Sequence, residues 1–505
     1  MQRVVRGVAI AAMIAAASLA ASAGAVQTTS QSGEIELQVA NQFFNDGRYS
    51  DALEAYEKSL TGSAPADARA AHAGAIMSAL RAAEFTVARK HGEALVQAAP
   101  RDPDALSLYA DALWASGLFE EAETRYRDAL AISPDLPRGH HGMARALAAR
   151  SKLDDALREA QLAARLTPRD LEIHHTIGTI YERMHKYEEA SAAFNNYVNL
   201  LPNKDRSEQA AWARAEVKFL SSFGQRVPFE MDPGADDQTY TVEFKIVNGK
   251  IVVRAKVNEG SFQDFVVDTG AENTVITRGT AQRLGITPIT YTLSAGVGEV
   301  GLRGLQLARI NTLELGQLKL RNVPCLVKDP PLRDLPTREQ ESLSPLNLGF
   351  SMVIDYKTHQ ITFGKHLPVE ASDFELPLRL HRLATVRGNV DGSHPADFVV
   401  DTGGEVISIS QATATSLGKP EPARKIKLQV YGSSGWDRDA FLMPGINLNF
   451  DKLRYDNYSV VVLNLDTPSA LLGFQLGGTV GHNFLSKYRV GIDLERSVLR
   501  LKSSS

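Results

Sequence analysis

Two periodicities divide the chain. Between residues 35 and 220 apolar positions recur at helical spacing, and the whole pattern repeats with a period of 34. Pro100, Pro134, Pro168 and Pro202 keep that period, as do Phe85, Phe119, Leu153 and Tyr187, and Ala88, Ala122, Ala156 and Ala190. Helix pairs that bury one apolar stripe against the next pair produce this pattern, with small residues where helices approach and proline closing each unit. Gly47, Arg48, Tyr49, Ala52 and Tyr56 supply an earlier unit slightly out of frame. The reading predicts five helix pairs and a closing helix near Ser207 to Leu220. From Tyr240 the period drops to two: Tyr240, Val242, Phe244 and Ile246, then Ile251, Val253, Ala255 and Val257, predict strands. Residues 221–239, with Gly224, Pro228, Pro233, Gly234 and Asp236-Asp237, read as a linker that few contacts cross. His366 to Phe374 reads as a joint between two β lobes, 240–365 and 375–502.

The β half repeats itself as well. Phe265-Val266-Val267-Asp268-Thr269-Gly270 returns at an offset of 133 as Phe398-Val399-Val400-Asp401-Thr402-Gly403. The same offset carries Arg254 onto Arg387, Leu284-Gly285 onto Leu417-Gly418, and Lys319-Leu320-Arg321 onto Lys452-Leu453-Arg454; Ile354-Asp355 then corresponds to Ile492-Asp493 at an offset of 138. A duplicated domain of about 125 residues is implied, a usual domain size. Phe-Val-Val predicts a strand and Thr-Gly breaks it, so each aspartate sits at a strand-to-loop corner. Two such corners meeting across a pseudo-twofold axis would bring two carboxyls together. Like charges that close cannot both ionise, so the pair shares a proton. One member can then deprotonate a water while the other protonates a carbonyl oxygen. The bland alternative is a structural turn of a β-barrel in which each Asp caps loop amides, and two copies in register weigh against it.

Asp268-Thr269-Gly270-Ala271 with Thr274, behind its apolar run, resembles the active-site signature of retropepsin-like aspartic proteases, over roughly residues 240 to 502. A helical repeat of this period is the tetratricopeptide pattern. Together they imply a multidomain α + β chain. An all-α tetratricopeptide solenoid over 35–220 is followed by two retropepsin-like all-β lobes, which form one pseudo-twofold aspartic protease as in pepsin-like enzymes. The resemblance implies that Asp268 and Asp401 are the catalytic dyad. It implies that the hydroxyls of Thr269 and Thr402 cross-link the two loops, and that Gly270 and Gly403 leave room for their approach. Gly296 and Gly298, within 294–301, and Gly432 and Gly435, within 431–436, read as flaps over the substrate, since such backbone wants small residues and mobility. The family's second signature, two apolar residues and Gly before an Ile-Asp strand, is matched by Thr479-Val480-Gly481. In the first copy only Asn347-Leu348-Gly349 offers it, too close to Ile354-Asp355 for the usual helix between. Gly404 stands where the first motif has Ala271.

Other features narrow the function. Arg3 and Arg6, an apolar run from Val8 to Ala20 and Ala23-Gly24-Ala25 make residues 1–25 a cleavable targeting signal, too short for a span of about 20 residues. Cys325 is the only cysteine, so no internal disulfide is possible. The expectation is a bacterial periplasmic or secreted protein with no stable membrane span after cleavage. A net charge of -4 over 505 residues favours neither nucleic acid nor a membrane surface. Gly296-Val297-Gly298-Glu299-Val300-Gly301 fits a dinucleotide fingerprint on paper, but strand residues rather than a helix follow it. His140-His141 and His174-His175 lie in repeat helices without metal-site spacing, and no cofactor or metal is expected. The leading expectation is an aspartic endopeptidase acting on a peptide or protein substrate, with the repeats binding a protein partner or the substrate. The alternatives are a non-catalytic protease-like module that grips peptides beside a tetratricopeptide scaffold, and a dyad that forms only between two chains. Substrate identity is not written in the sequence.

Overall fold

In a computed structural model the described residues are 32–61, 64–202, 204–205, 207–294, 296–298, 303–328, 341–419, 426–432 and 434–503. The targeting signal expected over residues 1–25 lies outside them, as do residues 295, 299–301 and 433 of the two flap segments. The helical region opens with α1 (32–45). It continues with α2 (Tyr49–Ser59), α3 (Pro65–Arg81), α4 (Phe85–Ala98), α5 (Pro103–Ala115), α6 (Phe119–Ile132), α7 (Pro137–Ala149), α8 (Leu153–Leu166), α9 (Leu171–Arg183), α10 (Tyr187–Leu200) and α11 (Glu208–Ser221). Among the described residues these are the five predicted pairs and the closing helix. The period of 34 has a local cause: Phe85, Phe119, Leu153 and Tyr187 are the first residues of α4, α6, α8 and α10, and each of those helices ends two residues before its proline. Proline cannot continue a helix and pushes the residue before it out of helical geometry. Pro65, Pro103 and Pro137 open the alternate helices, where a missing N–H costs nothing. Asp102, Asp170 and Ser207 cap α5, α9 and α11 through side-chain oxygens. No helix among the described residues is long and apolar enough to cross a membrane.

The chain divides into two compact units, Met1–Ser116 with Glu120–Pro134, and Gly117–Phe119 with Asp135–Ser505. In the first, small and large apolar residues alternate through one core, Ala40, Ala52, Tyr56, Ala75, Ile76, Ala88, Leu95 and Ala105 among them. The second holds α7 to α11 together with every strand.

The first lobe runs β1 (Thr239–Val247), β2 (Lys250–Val257), β3 (Phe262–Val267), β4 (Thr274–Thr277), α12 (Arg278–Arg283), β5 (Thr290–Ser294), β6 (Arg303–Leu315), β7 (Leu318–Lys328), β8 (Glu341–Leu343), β9 (Ser351–Asp355) and β10 (Gln360–Gly364). The second runs β11 (Phe374–Leu380), β12 (Ala384–Val390), β13 (His394–Val400), β14 (Ser408–Ser410), α13 (Gln411–Ser416), β15 (Ile426–Lys427), β16 (Val430–Gly432), β17 (Gly435–Asp437), β18 (Phe441–Phe450), β19 (Leu453–Leu463), α14 (Asp466–Leu472), β20 (Gly478–Val480), α15 (His482–Leu485), β21 (Tyr488–Asp493) and β22 (Val498–Ser503). In each lobe the strand that ends at the Asp-Thr-Gly corner pairs antiparallel with the strand before it and parallel with a short later strand, β3 with β2 and β8, β13 with β12 and β20.

A further antiparallel layer, β1-β10-β9-β21-β22-β11, takes three strands from each lobe and joins them where β9 meets β21. There Ile354 pairs with Val490, Val353 with Gly491, and Met352 with Ile492. The offset of 138 that carries Ile354 onto Ile492 maps this register onto itself, so the twofold axis passes through Val353 and Gly491. Phe265, Ile354, Phe398 and Ile492, all fully buried, belong to one continuous core.

The stretch 221–239 corrects one expectation. It is packed on the first lobe: Phe229 is buried in the lobe's core, and Glu230 exchanges backbone hydrogen bonds with Arg321 (3.0 and 2.9 Å). Helices α10 and α11 pack there too. Tyr187, Phe194, Phe219, Leu220 and Phe223 share a buried cluster with Leu305, Leu307 and Leu326, and Trp212 Nε1 donates to Thr292 Oγ1 at 3.2 Å. The reason is visible in β6. Ala308 and Ile310 point into the barrel core, which puts Leu305 and Leu307 on the opposite face, where apolar side chains need cover. The second lobe is also tied to the helices, since Ser497 Oγ donates to Arg150 O (2.6 Å) and Arg183 donates to Leu380 O (3.1 Å).

Candidate active site

Each Asp-Thr-Gly begins where a strand runs out of partners. Asp268 N donates to Leu343 O (2.9 Å) and Asp401 N to Val480 O (3.0 Å), the last rungs of the parallel pairings β3–β8 and β13–β20. Beyond them the two loops bond to each other. Thr269 N donates to Thr402 Oγ1 (3.1 Å) and Thr402 N to Thr269 Oγ1 (3.0 Å). The hydroxyls then donate onward across the axis, Thr269 to Val400 O (2.6 Å) and Thr402 to Val267 O (2.7 Å). Both threonines are completely buried. We expect Thr402→Val to cost about 3 kcal/mol of stability, because it strands a buried N–H and a buried carbonyl at about 1–3 kcal/mol each, and Thr402→Ser to recover most of it. Urea midpoints measure this; a valine variant within about 0.5 kcal/mol of the parent would contradict the cross-link.

The glycines act through space. A Cβ on Gly270 would lie 2.6 Å from Asp401 Cγ, and one on Gly403 2.5 Å from Asp268 Cγ. Any side chain there would force the loops apart, and with them the carboxyls, which are close enough to hydrogen-bond to each other.

The two carboxyls are not equivalent. Asp268 accepts one backbone N–H, from Gly270 (3.0 Å). Asp401 accepts two, from Gly403 (2.9 Å) and Gly404 (2.8 Å). Gly404 makes the second bond possible, since a Cβ there would sit 2.5 Å from Asp401 Oδ2. Burial, followed by the charge of Asp401, pushes the Asp268 carboxyl up to about 7, against the pull of Lys250. Burial raises Asp401 as well, but its two N–H bonds, Lys250 and the hydrogen bond from Asp268 draw it back. The extra backbone hydrogen bond thus favours the ionised form at Asp401 over that at Asp268.

Lys250 was not singled out in the sequence. Asn248-Gly249, both at positive φ, turn β1 directly into β2. Val252 then pairs with Val266, so Lys250 stands level with Asp268. The signal in the sequence is the Asn248-Gly249 turn, which fixes that register.

The second signature of the first lobe also lies elsewhere than expected. Glu341-Ser342-Leu343 lies beside β3 as Gly478-Thr479-Val480 lies beside β13. The counterpart of Gly481 is therefore Ser344, and Asn347-Leu348-Gly349 belongs to the turn that follows. Ser344 is buried, with Oγ donating to Ala271 O (2.5 Å) and N to Thr274 Oγ1 (3.3 Å). A serine fills the role by hydrogen bonding, so a search for glycine passes over it.

Both flap segments are hairpins. Ser294 pairs with Arg303 across β5 and β6, while Val430, Tyr431 and Gly432 pair with Asp437, Trp436 and Gly435. The next described element after Gly298 is the strand β6 rather than a helix, which argues against the dinucleotide reading. The tips touch: Ser434 N donates to Val297 O at 3.0 Å. A Cβ on Gly298 would lie 2.3 Å from Ser434 C, and one on Gly432 2.3 Å from Val297 O. Gly296 lines the cleft below, and Gly435 turns the second hairpin at φ +104°. The cleft encloses about 1420 Å³ and is lined by Asp268, Asp401 and both flap segments, and also by Glu182, Trp212 and Glu216 of the helical region. Among the described residues no His, Cys, Asp and Glu cluster could hold a metal ion, and Cys325 is buried in the first lobe.

Comparison with known proteins divides the chain in the same way. Residues 253–352 and 386–476 match the aspartyl protease family model, one segment in each lobe. Residues 79–146 match a tetratricopeptide repeat model. Similar solved structures include a thermophilic tetratricopeptide protein of Thermus thermophilus, 20% identical over 37% of this chain and 98% of that one, with a TM-score of 0.31. YrrB, a tetratricopeptide protein with an unusual peptide-binding site, is 17% identical over 38% and 96% (TM-score 0.24). PilF of Pseudomonas aeruginosa is 15% identical over 39% and 94% (TM-score 0.27). No curated protein matches the chain. The chain thus carries tetratricopeptide repeats followed by a β-rich region that matches the aspartyl protease family twice.

Proposed function

We propose that the protein is an aspartic endopeptidase in which Asp268 and Asp401 of one chain activate a water against an internal peptide bond. What carries the reading is a pair of carboxyls, each packed against the other loop's glycine and within reach of the other, held at the twofold axis by buried threonine cross-links. Asp401, which accepts two backbone N–H bonds, takes a proton from the water as its oxygen attacks the scissile carbonyl carbon. Asp268 gives its proton to the carbonyl oxygen, so the tetrahedral intermediate forms without a free oxyanion. Returning a proton to the amide nitrogen then lets the C–N bond break. The flap segments supply a cover that excludes bulk water. In this reading the helical region holds a protein partner or the substrate. The basic, apolar and small-residue stretch over residues 1–25 supports export to a periplasm or the medium.

The test is cleavage of an unstructured polypeptide by the purified chain, read by mass spectrometry. Internal cuts blocked by a statine-type peptide, and untouched by chelators or serine reagents, are expected. No cleavage at any pH between about 4 and about 8 would contradict the proposal.

The pH dependence follows from the shared proton. Activity needs one carboxyl protonated and one ionised, so kcat/KM is bell-shaped. Raising the pair's last ionisation to about 7 keeps that proton on through mildly acidic pH, so the basic limb falls near neutrality. A rate that stays level through about pH 9 would show that no shared proton is required.

A further inference from the structure

The helical region contributes two carboxyl groups to the cleft, Glu182 and Glu216, that the dyad chemistry does not use. Glu216 projects from the face of α11 that also presents Trp212 and Phe219, at i−4 and i+3, and all three line the cleft. It is 8% exposed, and among the described residues its carboxylate makes no hydrogen bond or ion pair. Glu182 of α9 lines the same cleft, and among those residues its carboxylate is likewise without a bonded partner. A buried ionised carboxylate without a partner costs several kcal/mol, so such a group stays neutral or waits for a cation.

We infer that Glu216 and Glu182 form a subsite for a positively charged group of the peptide bound in the cleft, so that the helical region helps select what is cut. The inference rests on the endopeptidase reading and deepens it. The charged surroundings support it. Glu272, four residues beyond Asp268, adds its negative charge at Glu182, and Arg382 is already paired with Glu272. Tyr187 of α10 also feels both glutamates, which help to raise its hydroxyl. Arg382 thus acts on both Glu182 and Glu216 while its ion pair is made with Glu272, which leaves the two glutamates without a bonded cation of their own among the described residues. Burial leads in pushing Glu182 up to about 7 and Glu216 up to about 8, with like charges adding and Arg382 opposing. Phe194, Trp212 and Phe219 in the same wall suit the methylene stem of a long basic side chain. Glu272 lies four residues beyond Asp268, so at about 3.3–3.6 Å per extended residue it stays within a few substrate residues of the scissile bond, and Glu182 feels its charge.

An ammonium or guanidinium can come from a Lys or Arg side chain or from a free peptide N-terminus, and one experiment separates them. Dye-labelled dodecapeptides, with lysine or norleucine placed at each position in turn and the N-terminus free or acetylated, are titrated by fluorescence anisotropy against the full-length Asp268→Asn chain. We expect at least about tenfold tighter binding for lysine at one position, or for the free N-terminus, the range of a charged hydrogen bond. Adding Glu216→Gln should bring that ratio close to one. Glu182→Gln serves as a second variant, and an unchanged melting midpoint shows that either one is folded. Equal affinity for lysine and norleucine at every position and for both N-terminal forms, a preference that survives both glutamine variants, or no binding at all would overturn the subsite. Failure of the parent chain to cut any of these peptides would count against the endopeptidase reading alone, because binding is measured separately.

Discussion

Asp268→Asn and Asp401→Asn each lower kcat/KM by about 10³-fold or more while leaving the chain folded, and the double variant is scarcely worse than either single one. The expectation follows from one proton serving two groups. With Asn at 401 no base takes a proton from the water, and with Asn at 268 no acid delivers one to the carbonyl oxygen. Residues that act as a unit do not contribute additively. The fold should tolerate the change because an amide oxygen can still accept from Gly270 N or Gly403 N, the bonds that the carboxylates make now. An amide also cannot ionise, so no second charge can arise in the shared site as pH rises. Kinetics on one peptide, with melting curves alongside, measures both. Near-normal turnover in either single variant would remove that aspartate from the chemistry.

A chain beginning at residue 222 is expected to be insoluble or unfolded. Leu305, Leu307 and Leu326 would lose the cover of Tyr187, Phe194, Phe219 and Leu220. At about 1.5–3 kcal/mol for each large apolar side chain, three leucines alone amount to about 5–9 kcal/mol. That is comparable with the whole stability of an ordinary domain, about 5–15 kcal/mol. The truncation also deletes the Trp212–Thr292 hydrogen bond and the Arg183 and Arg150 links to the second lobe. Expression of 222–505 beside the full chain, with cooperative melting as the readout, decides the matter. A soluble fragment that melts like the parent would show the helical wall to be dispensable for folding.

What was legible in the sequence followed from periodicity. Prolines and aromatics recurring with a period of 34 could only mark helix ends and starts, and the duplicated Asp-Thr-Gly could only come together if the two lobes faced each other. What escaped depended on partners far along the chain. Leu305 and Leu307 read as strand residues, but nothing local says that their face is covered by α11. Ser344 does through its hydroxyl what Gly481 does by being small, so a motif written in residue types misses it. Glu216 looks like any surface glutamate of an amphipathic helix; only tertiary packing around α11 buries it. Lys250 was within reach, since the Asn248-Gly249 turn sets the register that brings it level with Asp268.

The central claim is that Asp268 and Asp401 hold one proton between them, and ¹³C NMR of carboxyl-labelled aspartate tests it most directly. Spectra of the full chain are followed from about pH 3 to about pH 9, with the Asp268→Asn and Asp401→Asn chains used to assign the two signals. The account predicts that both signals respond together, and that the pair keeps one proton until about pH 7, where burial and mutual repulsion finally yield. Two independent titrations near the ordinary carboxyl range of about 4, each unaffected by substitution of the other residue, would contradict it.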